Sequence, residues 1–290
     1  MSEAGGLLTH HLFGEGKARV WLKASAYTTR ILLGSNGADP WVSPADYLAY
    51  FTQAHSLLKP DVAVLEVGDL FASWHRRHSV EAAAPPKRRS PSGALRRLIE
   101  IDGARALLGE IIEATLSHLG ASVPLVLSMP SPRAWVLGAA EQAGFDPDMI
   151  DLDAVEDGAM YVADLMRSVS THKIGGLLLE ELRVDPGYGA STVERYRSIV
   201  NLARHYRWGL GLRIPEGCSC AEAARSDIDV VIASSPGNAP EKAFGVDVSE
   251  RFREGAVMPK LRRPSFYFVE IAATQRPEEV LERLAALRAQ

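Results

Sequence analysis

The chain has 290 residues, 47% of them hydrophobic and 23% charged, with 24 Gly and 17 Pro, a balance that excludes a disordered or collagen-like chain and suits a large core. Its formal net charge of −4 gives no general attraction to nucleic acid or to an anionic membrane surface, so neither is expected as a partner. The only cysteines, Cys218 and Cys220, are too close in sequence for ordinary disulfide geometry; with no signal-peptide pattern at the N-terminus and no apolar run of membrane-spanning length, a cytoplasmic location is expected.

In chain order, short apolar runs at 19–23, 62–67, 124–129, 175–181, 208–214, 230–234, 243–249 and 266–272 read as buried parallel strands. Segments of helical spacing separate most of them. After the first run, Ser43 is a cap, Pro44 suits the first turn and Asp46 meets the positive helix end, while Tyr47, Leu48, Phe51, His55 and Leu58 recur on one face. Further helices are predicted at 94–119, 134–143, 152–170, 192–206 and 277–288, with weak ones at 236–242 and 250–263. Alternating strands and helices predict an α/β fold, a (β/α)8 TIM barrel filling 1–290 as a single domain. The basic stretch at about 76–92, with Pro85-Pro86-Lys87-Arg88-Arg89, reads as a flexible insertion after the second strand, on the face where a lid would sit.

In such a barrel the active site lies where the C-terminal strand ends meet, so polar residues there are the candidates. The first strand leads to Lys23, Tyr27 and Arg30; the second to Glu66 and Asp69; the third to Ser128, Ser131 and Arg133; the fourth to Glu180 and Glu181. The later strands offer Arg213, Asp247 and Glu270. Side chains alternate along a strand, so only one of Glu180 and Glu181 faces the axis, and Glu180 is favoured. The same alternation turns Arg213 inward, within reach of Glu180 or Asp247. Cations beside carboxylates suit an anionic substrate held next to an acid or base. Cys218-Ser219-Cys220 could offer two thiolates to zinc, a weak signal without further ligands nearby; no metal or cofactor is expected. No Gly-x-Ser-x-Gly elbow is present to suggest a serine hydrolase.

The run from Arg19 to Arg30, RVWLKASAYTTR, resembles the opening of the uroporphyrinogen decarboxylases, a Pro-Val-Trp strand followed by an arginine-bearing turn. The stretch 44–69, with Lys59-Pro60-Asp61-Val62, resembles their second helix and strand, and 124–135 their third-strand turn. Val64-Leu65-Glu66-Val67-Gly68-Asp69 is similar to the catalytic half of cobalamin-independent methionine synthase, a relative in the same barrel superfamily. The resemblance implies a TIM barrel, a homodimer and chemistry at the mouth. Where the decarboxylases carry paired arginines, this chain has Lys23 and Arg30, and Asp69 stands near their substrate-binding aspartate. Where the methyltransferases place His-x-Cys to hold zinc, it reads Gly211-Leu212-Arg213.

The leading expectation is therefore a metal-independent lyase, a decarboxylase of a small or medium carboxylated substrate. Lys23, Tyr27, Arg30, Ser131, Arg133, Arg213 and Asp247 would bind it, with Glu66, Asp69 and Glu180 as catalytic groups. The alternative is a methyl- or alkyl-transferase with a thiol acceptor. A third reading is a barrel that binds a ligand without catalysis.

Overall fold

The computed structural model of the chain describes residues 6–13, 19–34, 37–78, 90–120, 122–181, 189–215, 227–235, 244–261 and 265–290. Helix α1 (Gly6–Phe13) comes first, then β1 (Val20–Lys23), α2 (Ser25–Leu33) and α3 (Pro44–Leu58). Next are β2 (Ala63–Glu66), α4 (Val67–Arg77), α5 (Pro91–Ile99), α6 (Asp102–Leu119), β3 (Leu125–Pro130) and α7 (Pro132–Gln142). A 3-10 turn (Pro147–Met149) leads into α8 (Leu152–Ser168), β4 (Gly176–Glu180), α9 (Ala190–Glu194), α10 (Arg197–Tyr206) and β5 (Gly209–Arg213). The chain ends with β6 (Val230–Ala233), β7 (Phe244–Asp247), α11 (Ser249–Glu254), β8 (Ser265–Glu270) and α12 (Pro277–Arg288).

All strand pairs are parallel, in one eight-stranded sheet ordered β1-β8-β7-β6-β5-β4-β3-β2. The sheet curls into a nearly closed (β/α)8 barrel. At the seam between β1 and β2 a side chain stands in for a ladder: Val20 N donates to Asp61 Oδ2 at 2.8 Å, and Asp61 N donates to the Val20 carbonyl at 3.4 Å.

The period of two along each strand builds the interior. Trp21, Val126, Leu178, Val230, Ile232, Phe266 and Phe268 point to the axis and pack with Leu8 and Leu12 of α1, which plugs the N-terminal end. Gly176 and Gly209, the first residues of β4 and β5, admit that plug. A Cβ on Gly209 would sit 3.0 Å from Leu8 Cδ2, and one on Gly176 would meet the Gly209 carbonyl oxygen at 2.3 Å. The alternate residues Val20, Leu22, Tyr267 and Val269 face outward, into a shell with Tyr27, Phe252 and Leu284.

Some helices differ from the sequence expectation. The predicted helix at 94–119 is two helices, interrupted at Glu100 and Ile101, where the backbone turns extended at Ile101 (φ −124°, ψ 109°). Just beyond, Gly103 lies against Trp74 of α4, where a Cβ would come within 2.6 Å of the indole. The helix predicted at 192–206 is likewise interrupted between α9 and α10. Helices α1, α2 and α4 were not anticipated. The predicted helix at 236–242 and the central part of the basic insertion, 79–89, lie outside the described residues.

Among the described residues no helix is long and apolar enough to cross a membrane.

Candidate active site

Every strand except β3 and β6 ends on a charged residue: Lys23, Glu66, Glu180, Arg213, Asp247 and Glu270. Each has the same parity as the axial residues beneath it, so the alternation that fills the barrel with Trp21, Leu178 and Phe268 sets these charges around the mouth.

Glu180 is at the centre, with 2% of its side chain exposed. Lys23 Nζ donates to its Oε1 at 2.6 Å, and Ser128 Oγ donates to the same oxygen at 2.5 Å. Arg213 Nη1 donates to Glu180 Oε2 at 3.0 Å and to Glu270 Oε2 at 2.5 Å, while Arg213 Nε donates to Asp247 Oδ2 at 2.9 Å. The guanidinium also lies over the Phe268 ring, 4.6 Å from its centroid, a cation–π contact that fixes its plane. Asp247 is held in turn by Ser249, whose backbone N–H and Oγ donate to Oδ1 at 3.0 and 2.5 Å. Ser249 Oγ accepts from Glu270 N at 2.7 Å.

These contacts settle the charge states of the network. Burial opposes the charge on Lys23, but Glu66, Glu180 and Glu270 outweigh it and hold the amine above its usual pKa. Burial likewise opposes the Arg213 charge, and Asp247, Glu270 and Glu180 more than offset it. Desolvation works against ionisation of Glu180, yet Lys23 and Arg213 keep its carboxyl below the usual range. Each buried ion thus has partners, as buried ions require.

Glu66 is held less closely, with Lys23 and Ser128 beside it. Its Oε2 is 3.9 Å from Lys23, and its buried Oε1 has no hydrogen-bond partner. Burial pushes the Glu66 carboxyl up to about 8; Lys23 offsets this only in part, and Glu180 and Asp69 add to it. Asp69, in the first turn of α4, keeps solvent contact, yet enough protein surrounds it that desolvation raises its pKa as well. Both carboxyls line a cavity of about 590 Å³ together with Lys23, His75, Trp135 and Glu180. Arg213, Asp247 and Ser249 line a second hollow of about 720 Å³ on the opposite side of the mouth.

The remaining sequence candidates lie elsewhere. Residues expected to form a turn after β1 wind into α2, which carries Tyr27 into the outer apolar shell, fully buried. Arg30 is carried with it and donates through Nη2 to the Gln275 carbonyl at 2.6 Å. Ser131 caps α7, its Oγ accepting from Ala134 N at 3.1 Å, and Arg133 is buried in the first turn of that helix. Glu181 faces away from the axis, 2.8 Å from the Tyr196 hydroxyl. Ser128 and Glu270 are the members of the network that the sequence ranking left aside, although their parity places them beside Glu66 and Lys23 in register.

Cys218 and Cys220 lie outside the described residues. Among the described residues no group of three or more His, Cys, Asp or Glu is arranged to hold a metal ion.

No protein-family model matches the chain, and no curated protein sequence matches it. Among solved structures it is similar to a methyltransferase from Methanosarcina mazei, with a TM-score of 0.62 over 97% of each chain at 13% identity. At that identity the likeness is one of fold: both chains are barrels over nearly their whole length.

Proposed function

We propose that the chain is an enzyme of methyl or small-alkyl transfer to a thiol acceptor, with Glu66 taking the thiol proton. The observation that carries this reading is the buried Glu66 carboxyl with one unpartnered oxygen, lining the cavity at the barrel mouth. A pKa pushed to about 8 is close to the ordinary thiol value of about 8.5, the match that makes proton transfer efficient near neutral pH. In the step, the thiol sulfur attacks the alkyl carbon, the bond from that carbon to its leaving heteroatom breaks with the electron pair on the heteroatom, and the S–H proton passes to Glu66.

The charge balance at the mouth favours this reading over decarboxylation. The cations that would hold a substrate carboxylate, Lys23 and Arg213, are already engaged by Glu180, Asp247 and Glu270. An anionic substrate would also face Glu66 and Asp69. A neutral or cationic substrate fits better. The similarity in fold to a methyltransferase and the resemblance to the methionine synthase barrel agree with it.

The test is methyl transfer from sulfonium and ammonium donors to 2-mercaptoethanol, followed by mass spectrometry of the thioether, alongside carbon dioxide release from a panel of carboxylic acids. Thioether formation that Glu66→Gln lowers about 100-fold is the expected result. Carbon dioxide release without thioether would overturn the reading.

A further inference from the structure

Beneath the mouth, at the seam where β1 and β2 lack a ladder, a separate pocket of about 80 Å³ opens between the strands and helices α2 and α3. Its aromatic walls include Trp41, Tyr47, Tyr50 and Phe51, and Glu66 and Asp69 both line it. Trp41 and Tyr47 pack with ring centroids 4.4 Å apart, and Tyr47 and Phe51 at 6.1 Å. The Tyr50 hydroxyl is anchored to Thr28 Oγ1 at 2.6 Å. Among the described lining residues there is no lysine or arginine, and their one histidine, His55, is held toward its neutral form by burial.

We infer that this pocket is a subsite for a methylated onium head group, a sulfonium or quaternary ammonium, held by aromatic faces and by the carboxylates of Glu66 and Asp69. Aromatic faces attract such cations most strongly where water is excluded, and the two carboxyl groups add negative charge that Lys23 and Arg76 offset only in part. By the scale on which a cavity of about 150 Å³ takes up benzene, about 80 Å³ holds roughly three heavy atoms, so the pocket takes the onium centre with one or two of its methyls and leaves the rest at its opening. The inference rests on the alkyl-transfer reading and names its donor. An onium methyl leaves a neutral amine or sulfide behind, so the leaving group needs no proton and Glu66 is free to receive the acceptor's.

Cation binding is coupled to ionisation of Glu66. The charged and titratable groups about it are Lys23 on β1, Glu180 on β4, Asp69 and Arg76 on α4, and Tyr47, Tyr50 and His55 on α3. Lys23 and Glu180 are paired to each other, and the tyrosines are held neutral by burial. Glu66 is therefore the group that exchanges a proton near neutral pH, while burial raises the Asp69 carboxyl as well.

The experiment is calorimetric titration of the full chain with tetramethylammonium chloride, trimethylsulfonium chloride and the neutral, similarly sized tert-butanol. Both cations should bind at least about tenfold more tightly than tert-butanol, and Trp41→Leu or Tyr47→Leu should weaken them about tenfold. At pH 7, repeating the titration in buffers of different ionisation enthalpy should reveal release of up to about one proton per cation bound, absent in Glu66→Gln. If the wall variants do not fold, intermolecular Overhauser contacts from the ligand methyls to the Trp41 and Tyr47 rings in the unaltered protein serve instead. Equal binding of tert-butanol, no cation binding, or contacts only to other rings overturns the subsite. Thioether formation without cation binding here would leave the transferase reading standing, whereas cation binding without transfer would support the subsite and remove that reading.

Discussion

Glu180 and Arg213 are register partners on the parallel β4–β5 pair, and their side chains meet over the barrel axis, Arg213 Nη1 donating to Glu180 Oε2 at 3.0 Å. Through this pair the mouth becomes one hydrogen-bonded unit. Glu180 draws in Lys23 and Ser128 from β1 and β3, and Arg213 draws in Asp247 and Glu270 from β7 and β8. Each charge here is satisfied only in company, so removing one member leaves others buried without partners.

Arg213→Ala is therefore expected to lower stability by about 3 kcal/mol, the cost of breaking a buried ion pair from one side. Arg213→Lys should recover part of the loss, since an amine can reach one carboxylate but not bridge several in a plane. Urea denaturation of the three proteins checks this. A loss below about 0.5 kcal/mol for the alanine variant, the range of an ordinary surface substitution, would contradict the network.

Glu66 makes stability depend on pH in an unusual direction. Its folded pKa of about 8 is above the ordinary 4.5, so between these values the folded chain binds a proton that the unfolded chain releases. Its contribution is fully present below the unfolded pKa and is lost as pH rises through the folded one. Across that window the protein should lose on the order of a few kcal/mol from this group, while Glu66→Gln should lack that part of the slope. Melting temperatures from pH 5 to pH 9 measure it. Identical slopes for the two proteins would sink the idea.

Leu8 of the α1 plug is fully buried against the glycines that open β4 and β5. Leu8→Ala should cost about 3 kcal/mol, as emptied core sites do. Because the plug is at the far end of the barrel from Glu66, the mouth chemistry should survive wherever the variant remains folded. Denaturation together with the thioether assay separates these effects, and an unchanged denaturation midpoint would show that α1 does not plug the barrel.

The strands and the mouth were legible because one rule, alternation along a strand, governs both. It turns Arg213 toward Glu180 and sets Glu180 apart from Glu181 on the sequence alone. The start of α3 is legible too, with Ser43 as its cap and proline in the first turn; Ser131 caps α7 in the same way, although its place after the third strand reads as a substrate-binding position. Helices α2 and α4 start immediately after a strand, and neither Ala24 nor Glu66 makes a side-chain cap. Nothing local announces them, and Tyr27 and Arg30 were consequently assigned to the mouth instead of to a helix beside it. The interruption between α5 and α6 depends on Trp74 against Gly103, a tertiary contact that periodicity does not record. The seam pocket is also tertiary, since its walls come from segments whose meeting requires the barrel.

The most direct test is the titration of Glu66 itself. In protein labelled with carbon-13 at the glutamate carboxyl, one resonance absent from Glu66→Gln should titrate with a midpoint near 8. A resonance so assigned that titrates near the ordinary 4.5 would mean that the carboxylate is too weak a base to take a thiol proton efficiently, and the proton acceptor proposed for the barrel mouth would be lost.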